Sequence, residues 1–404
     1  MNKTCKITVI GDIMCEPPLL RQAESGDGYD FAPIFAPMRS LFDEADYVIG
    51  NLETPLAGEA AGYTDSLYSF NTPDSLASAL KALGVDAVST ANNHCCDRGQ
   101  DGLVRTLRVL DKAGIAHTGT YADPEEKDRI LYFSLGDTRV AVIAYTYYYN
   151  KPKAPIAPPA PELERCVNRL KPLSGNGNYT STSPLFENMQ TFFAEKAGRA
   201  LTWEERLELK KLTGVPIAYA DNIDEWEKYE KYIRLLGADI TEAKKNADLV
   251  LYLPHVGGQF NTEPGTFSEW MIDKGVKLGA DAVFAGHSHT IQKAGYADGV
   301  PCFYCLGNVS MWPHSLYSVR ETLPEYGIAA HLYVSGGKIE KCTFSLFKSV
   351  QEEGTPLSVI PCDELYRDLP DDTCRKALLD EVSAIYTRIT GKTPPAAILR
   401  EYPL

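Results

Sequence analysis

Five apolar runs in this chain end in the same way, each in a short burst of metal-ligating residue types, and that repetition constrains the fold more than any other feature. Residues 6–11 lead into Gly11-Asp12-Ile13-Met14, Tyr47-Val48-Ile49 into Gly50-Asn51-Leu52-Glu53, and Asp86 to Thr90 into Ala91-Asn92-Asn93-His94. Leu249 to Leu253 ends in Pro254-His255-Val256-Gly257-Gly258, and Ala282-Val283-Phe284-Ala285 in Gly286-His287-Ser288-His289. Short β-prone apolar runs read as strands buried on both faces. In layered α/β folds, ligands gather at the carboxyl ends of such strands.

Helical segments alternate with the strands, as an α/β fold requires. They are expected at about 33–44, at Ser75–Leu83 closed by Gly84, and at Leu103–Ala113 closed by Gly114. Leu131–Leu135 and Val140–Tyr145, joined through Gly136-Asp137, read as a hairpin. The alternation breaks at about 150–222, where Lys151 to Pro161 carries five prolines and Leu173 to Pro184 is rich in Ser, Gly, Asn and Thr. A charged helix, Leu185 to Leu212, follows, and Thr202-Trp203-Glu204-Glu205 resembles a capping box. The segment reads as an insertion in a domain spanning 1–350, placed either over the site, shaping the substrate pocket, or at an oligomer contact. Helices at Ile223–Asn246 and Thr266–Leu278 and strands at 301–306, 327–334 and 339–348 come next. A C-terminal extension, 351–404, carries one helix at about 371–390 and is expected to pack on that domain.

The formal charge of −14 argues against nonspecific binding to nucleic acid or anionic lipid. An anionic substrate would need a local positive charge, and bound metal ions are the obvious source. No run approaches the roughly 18 apolar residues of a membrane helix. Met1 to Lys6 passes straight into a strand without a signal-type segment, so the chain as written reads as cytoplasmic. The ten cysteines show no paired CxxC arrangement and read as reduced. Cys302 and Cys305 fall within the apolar run Val300 to Leu306, and Cys95 and Cys96 directly follow His94.

Taken singly, each cluster admits a plain reading. Asp12 could cap a helix, Asn92 and Asn93 could be turn residues, Glu53 a solvated acid and His255 a core histidine. His331 reads as structural, His117 has no motif partner, and His314 lies close enough to Leu306-Gly307-Asn308 to line a cleft. Together the clusters offer carboxylate, amide and imidazole donors, a set suited to Mn, Zn, Fe or Mg rather than to a thiolate zinc site. Two such ions bridged by a carboxylate and a water would acidify the water and clamp a phosphoryl group.

The order GD, GNLE, ANNH with Asp97-Arg98-Gly99 following, a strand-end His-x-Gly, GHxH with Gln292 and finally Leu-Gly-Asn resembles the capsule and poly-γ-glutamate synthesis protein CapA family, within the calcineurin-like metallophosphoesterase superfamily. The likeness covers roughly residues 6–312 apart from the insertion. It implies a four-layer α-β-β-α sandwich with two divalent metal ions at the strand ends. Asp12 and Glu53 would supply carboxylates, and Asn93, His255, His287 and His289 the remaining ligands. Asn51 stands where the superfamily has its bridging aspartate, a role Glu53 could take over, and Asn92, Gln259, Asn308 and His314 are further candidates. His94, with Asp97 and Arg98 after it, would stabilise the phosphoryl oxygens or protonate the leaving group. The chain departs from the pattern at Met14, where the superfamily has histidine, at Gln259, where relatives commonly have an acid, and in its plain four-residue histidine motif.

The resemblance implies a hydrolase acting on a phosphorylated small molecule or an intermediate of an anionic polymer, linked to capsule or poly-γ-glutamate synthesis. One alternative is a non-catalytic accessory protein that binds the polymer or its synthetase through a degenerate metal site. Another is a nucleotidase-like phosphatase, its base stacked on the tyrosines between Tyr145 and Tyr149. The oligomeric state is not legible from the sequence.

Overall fold

The computed structural model describes residues 3–65, 69–150, 152, 161–172, 184–199, 201, 205, 208–209, 212–213, 221, 226–313, 315, 318–351 and 355–404. Two sheets lie face to face. The first contains β1 (Cys5–Ile13), β4 (Tyr47–Leu52), β5 (Ala87–Ser89), β6 (Ala116–Thr118), β13 (Tyr326–Ser335), β14 (Lys338–Val350), β15 (Ser358–Pro361) and β16 (Tyr402–Pro403). Its order is β15-β14-β13-β1-β4-β5-β6, with β16 also on β14. The second contains β7 (Leu131–Leu135), β8 (Thr138–Thr146), β9 (Leu249–His255), β10 (Ala282–Phe284), β11 (Ala294–Ala297) and β12 (Val300–Phe303), in the order β11-β12-β10-β9-β8-β7. A small hairpin, β2 (Glu24–Ser25) with β3 (Gly28–Tyr29), stands apart.

Side-chain alternation explains why the strand sequences are apolar on both faces. Ile7 and Val9 of β1, Val140, Val142 and Ala144 of β8, and Leu249, Leu251 and Leu253 of β9 meet in the core between the sheets. Their alternates turn outward under helices. Ile10, Val48 and Val88 pack with Leu76, Leu80 and Leu83 of helix Ser75–Leu83. Ala141, Ile143, Val250 and Tyr252 pack with Leu236 and Ile240 of helix Glu230–Asn246 and with Met271 and Ile272 of helix Thr266–Leu278. The architecture is therefore the four-layer α-β-β-α sandwich of metallophosphoesterase type.

β1, β4, β5 and β6 run parallel, as do β8, β9, β10 and β12, so their carboxyl ends collect at one edge of the sandwich. The bridge between Asp12 and Asn308 ties the two sheets together there.

Several elements differ from the sequence reading. The helix expected at about 33–44 is broken into Ala32–Phe35, a 3-10 turn Ala36–Met38, and Arg39–Phe42, since Pro33 and Pro37 interrupt the hydrogen-bond ladder. Helix Pro184–Ala197 stops at Gly198, whose φ of 63° breaks the helix, so no continuous helix runs to Leu212. The candidate capping residues 202–204 and His314 lie outside the described residues. The tail also contributes β15, β16 and a short helix, Cys362–Asp368, and helix Asp372–Thr390 buries Leu378, Val382, Ile385 and Ile389 in the inter-sheet core. All ten cysteines are reduced. No helix among the described residues is long and apolar enough to cross a membrane.

Candidate metal centre

Close approach of backbones builds the site before any side chain does. A β carbon on Gly11 would meet the carbonyl oxygen of Gly307 at 2.0 Å, and one on Gly286 would meet Asp12 Oδ1 at 2.5 Å, so both positions are restricted to glycine by space. The register of β1 on β4 shifts between Val9 and Asp12, which re-aims the Asp12 carboxylate at the strand end. His287 and His289 sit at φ 91° and 54°, left-handed backbone that costs a non-glycine residue about 1–3 kcal/mol.

Asp12, Glu53, His94, Asn93, His255, His287 and His289 are all buried. Their donor atoms form two overlapping triads, Glu53–His255–His287 and Asp12–Glu53–His289, with the atoms of each within 4.8 Å of one another. Glu53 belongs to both. Its Oε1 lies 3.3 Å from His255 Nε2 and 3.7 Å from His289 Nε2, and no N–H group donates to either carboxylate oxygen. A buried carboxylate left without donors is costly unless a cation compensates it. The residues present therefore fit a divalent metal.

The surrounding hydrogen bonds aim these donors. Asn308 Nδ2 donates to the carbonyls of His289 and Pro324 at 2.9 and 2.8 Å, which leaves its Oδ1 to accept from His289 Nδ1 at 2.9 Å. That bond fixes the tautomer and turns the Nε2 lone pair toward Glu53. Tyr147 Oη stands 2.7 Å from His287 Nε2, leaving Nδ1 facing His255 Nε2 at 3.2 Å. Asn93 Oδ1 contacts His255 Nε2 at 2.8 Å. Asn51 Nδ2 donates to Asp12 Oδ1 at 2.8 Å and stands 3.1 Å from His255 Nδ1, so its amide orients both side chains. Asn92 Nδ2 donates to the carbonyl of Leu52 at 2.8 Å, fixing the approach to Glu53.

Burial sets the protonation of the metal-free cluster. It pushes Glu53 up to about 8 and, with the neighbouring Glu53 carboxylate, Asp12 up to about 7. Burial also drives His255 down to about 4 and His289, beside His255, to about 3, and it holds His287 well below the usual imidazole range. His94 behaves oppositely. Burial pulls it down, but the Asp97 carboxylate, aided by Glu53 and Asp12, outweighs that and holds it above the ordinary value.

Asp97 Oδ2 accepts from both His94 Nδ1 and the Phe70 amide at 2.7 Å, and the Phe70 ring packs 4.3 Å from the imidazole. The Arg98 guanidinium is occupied by the carbonyls of Ala61 and Gly62 and by Ser69 Oγ, so Arg98 anchors a neighbouring loop. Gln259 is half-buried in the turn after β9. Tyr147, which the sequence offers only as a stacking surface, sets its hydroxyl against His287 instead. Tyr145, Tyr147, Tyr148 and Tyr149 are all buried, which leaves no broad open ring face for stacking a base. His331 is structural, set between Thr8 Oγ1 and Ser345 Oγ at 3.0 Å each.

A layered sandwich with a buried carboxylate–imidazole cluster at its strand ends places the chain among metallophosphoesterase-like folds. The chain belongs to the bacterial capsule synthesis protein family PGA_cap, whose model matches residues 6–311. It is 23% identical over 388 residues to the capsule biosynthesis protein CapA of Bacillus anthracis, covering 93% of this chain and 75% of that protein. The PGA biosynthesis protein CapA of Bacillus subtilis strain 168 is 24% identical over 301 residues, covering 74% of this chain and 61% of the relative. The uncharacterized protein y4sH of Sinorhizobium fredii is 25% identical over 290 residues, 68% of this chain and 61% of its own length. Among solved structures, a hypothetical protein from Thermus thermophilus aligns with 88% of this chain and 97% of its own at a TM-score of 0.38 and 16% identity.

Proposed function

We propose that this chain is a metal-dependent phosphoester hydrolase that processes a phosphorylated intermediate in the synthesis of an anionic surface polymer. The observation that carries the reading is Glu53, buried without a hydrogen bond and shared by two triads of ligand atoms. Asp12 and His289 would hold one divalent ion and His255 and His287 the other, with Glu53 common to both and Asn93 beside His255. Bound there, the ions would supply positive charge to phosphate oxygens and acidity to a water.

The chain's own residues perform the remaining tasks. Asp97 holds His94 by Nδ1 and favours the imidazolium, so Nε2–H is available to donate to a leaving-group oxygen. Phe70 fixes the ring plane by packing, and the Phe70 amide locks Asp97 in place. Burial of the whole cluster excludes bulk water and strengthens each charge interaction within it. The names of the relatives support a link to capsule or poly-γ-glutamate synthesis.

The test is turnover of an aryl phosphate by the purified full chain with and without manganese. Manganese-dependent hydrolysis, lost on the order of 100-fold or more in His94→Ala, is expected. An accessory role is favoured by Met14, buried where the superfamily carries an imidazole. One bound ion or none per chain, with no turnover, would support that role instead.

A further inference from the structure

With a formal charge of −14, the chain must concentrate positive charge locally to hold a phosphate. Arg98 is spent on loop carbonyls. A second cationic element stands at the other side of the site. Residues 166–170 form a strap joining the two sheets: the Tyr121 amide donates to Cys166 O at 2.8 Å and the Asn168 amide to Gly119 O at 2.9 Å on one side. On the other, the Thr146 amide donates to Asn168 O at 2.9 Å and the Leu170 amide to Thr146 O at 2.8 Å. Asn168 Nδ2 reinforces the strap through Ala144 O at 3.0 Å.

The strap delivers Lys171 to the rim. Its Nζ lies 4.5 Å from the centre of the Tyr147 ring, 5.3 Å from that of Tyr148 and 5.9 Å from that of Phe267. Tyr147 is the residue whose hydroxyl contacts His287 Nε2 at 2.7 Å. Two residues earlier, Arg169 is 7% exposed and gives only Nη2 to a carboxylate, that of Glu164 at 2.7 Å, while its buried Nε and Nη1 have no hydrogen bond. One strap thus carries two cations beside the end of β8, one of them buried with donors to spare.

We propose that the strap 166–171 is an anion-recognition element and that Lys171 selects a doubly charged phosphomonoester over a singly charged phosphodiester. This rests on the hydrolase reading above and adds the substrate class. A cation placed beyond the metal ligands interacts more strongly with a dianion than with a monoanion, since the Coulomb energy scales with the ligand charge. The aromatic faces of Tyr147 and Tyr148 hold the ammonium in place.

The experiment compares the manganese-loaded full chain with Lys171→Met and Lys171→Arg. Inorganic phosphate binding is measured by titration calorimetry, and p-nitrophenyl phosphate and bis-p-nitrophenyl phosphate are compared as substrates. Lys171→Met should weaken phosphate binding on the order of tenfold and lower kcat/KM for the monoester similarly, with the diester within about twofold of the native chain. Lys171→Arg should restore most of both, and equal melting temperatures exclude a folding defect. Phosphate binding unchanged in Lys171→Met overturns the inference while leaving the hydrolase reading standing. Phosphate bound by the native chain without turnover of either ester counts against the hydrolase reading alone, and no phosphate binding by the native chain overturns both.

Discussion

Replacing Gly286 by alanine tests whether the site depends on backbone packing as tightly as the geometry requires. The added methyl group would stand 2.5 Å from Asp12 Oδ1 and 3.3 Å from both Cγ and Oδ2, about 0.9 Å short of ordinary contact at the nearest atom. Asp12 has little room to give. Its carboxylate accepts from Asn51 Nδ2 at 2.8 Å and from the His287 amide at 2.9 Å, and its backbone is pinned by bonds of 3.0 Å to Gly307 O and 2.8 Å from the Val309 amide. Metal ligation tolerates displacements of only about 0.2 Å. Gly286→Ala should therefore weaken manganese binding about 10- to 100-fold, the range seen when a ligand's supporting shell is disturbed, and lower stability by about 1–3 kcal/mol through overpacking. Titration calorimetry with manganese and chemical denaturation of the metal-free protein read the two effects. Gly295→Ala, where an added β carbon meets nothing within 4 Å, is the control and should change neither. Manganese affinity within about twofold of the native chain in Gly286→Ala would refute the argument.

The remaining expectations concern protonation and orientation. In the metal-free chain, Asp12 at about 7 and Glu53 at about 8 are raised, so the stability they contribute is present below their unfolded values near 4 and is lost as pH rises through 7 to 8. The histidines lowered to about 4 and 3 act in the opposite sense, but only below about 6.5. Melting temperature in chelator should thus fall from pH 6.5 to 8.5, and the increment given by manganese should grow across that range; a flat or shrinking increment contradicts it. Asp97→Asn removes the carboxylate that holds His94 above its usual value, so the alkaline limb of the pH–rate profile should move to lower pH with metal content unchanged. Asn308→Ala frees the His289 tautomer and should cost about 10- to 100-fold in metal affinity while leaving the pH profile in place, checked by the same titration.

Much of this candidate site was legible because its potential ligands follow strands whose apolar character is hard to mistake. The burst after each run placed Asp12, Glu53, Asn93, His255, His287 and His289 at strand ends, and parallel pairing brings those ends together. Helix ends at Gly84 and Gly114 were equally readable, since both adopt the left-handed backbone that glycine favours. What the sequence withheld depends on contacts between distant residues. The 2.7 Å approach of Tyr147 to His287 spans 140 positions, and the cross-sheet strap that brings Lys171 to Tyr147 lies within 150–222, read as an insertion whose placement the sequence left open. Between Asn51 and Glu53 the sequence left the bridging position open, with Glu53 as the replacement. In the structure Asn51 spends its amide on Asp12 and His255, while no N–H or O–H donates to either Glu53 oxygen. The short strands β11, β15 and β16 carry too few residues to show a period.

The most direct test is a crystal structure of the manganese-loaded chain with anomalous diffraction recorded at a wavelength where manganese scatters strongly. Two peaks are expected, one against Asp12 and His289 and one against His255 and His287, with the Glu53 carboxylate between them. No peak at this cluster, or cations bound without contact to Glu53, would contradict the account.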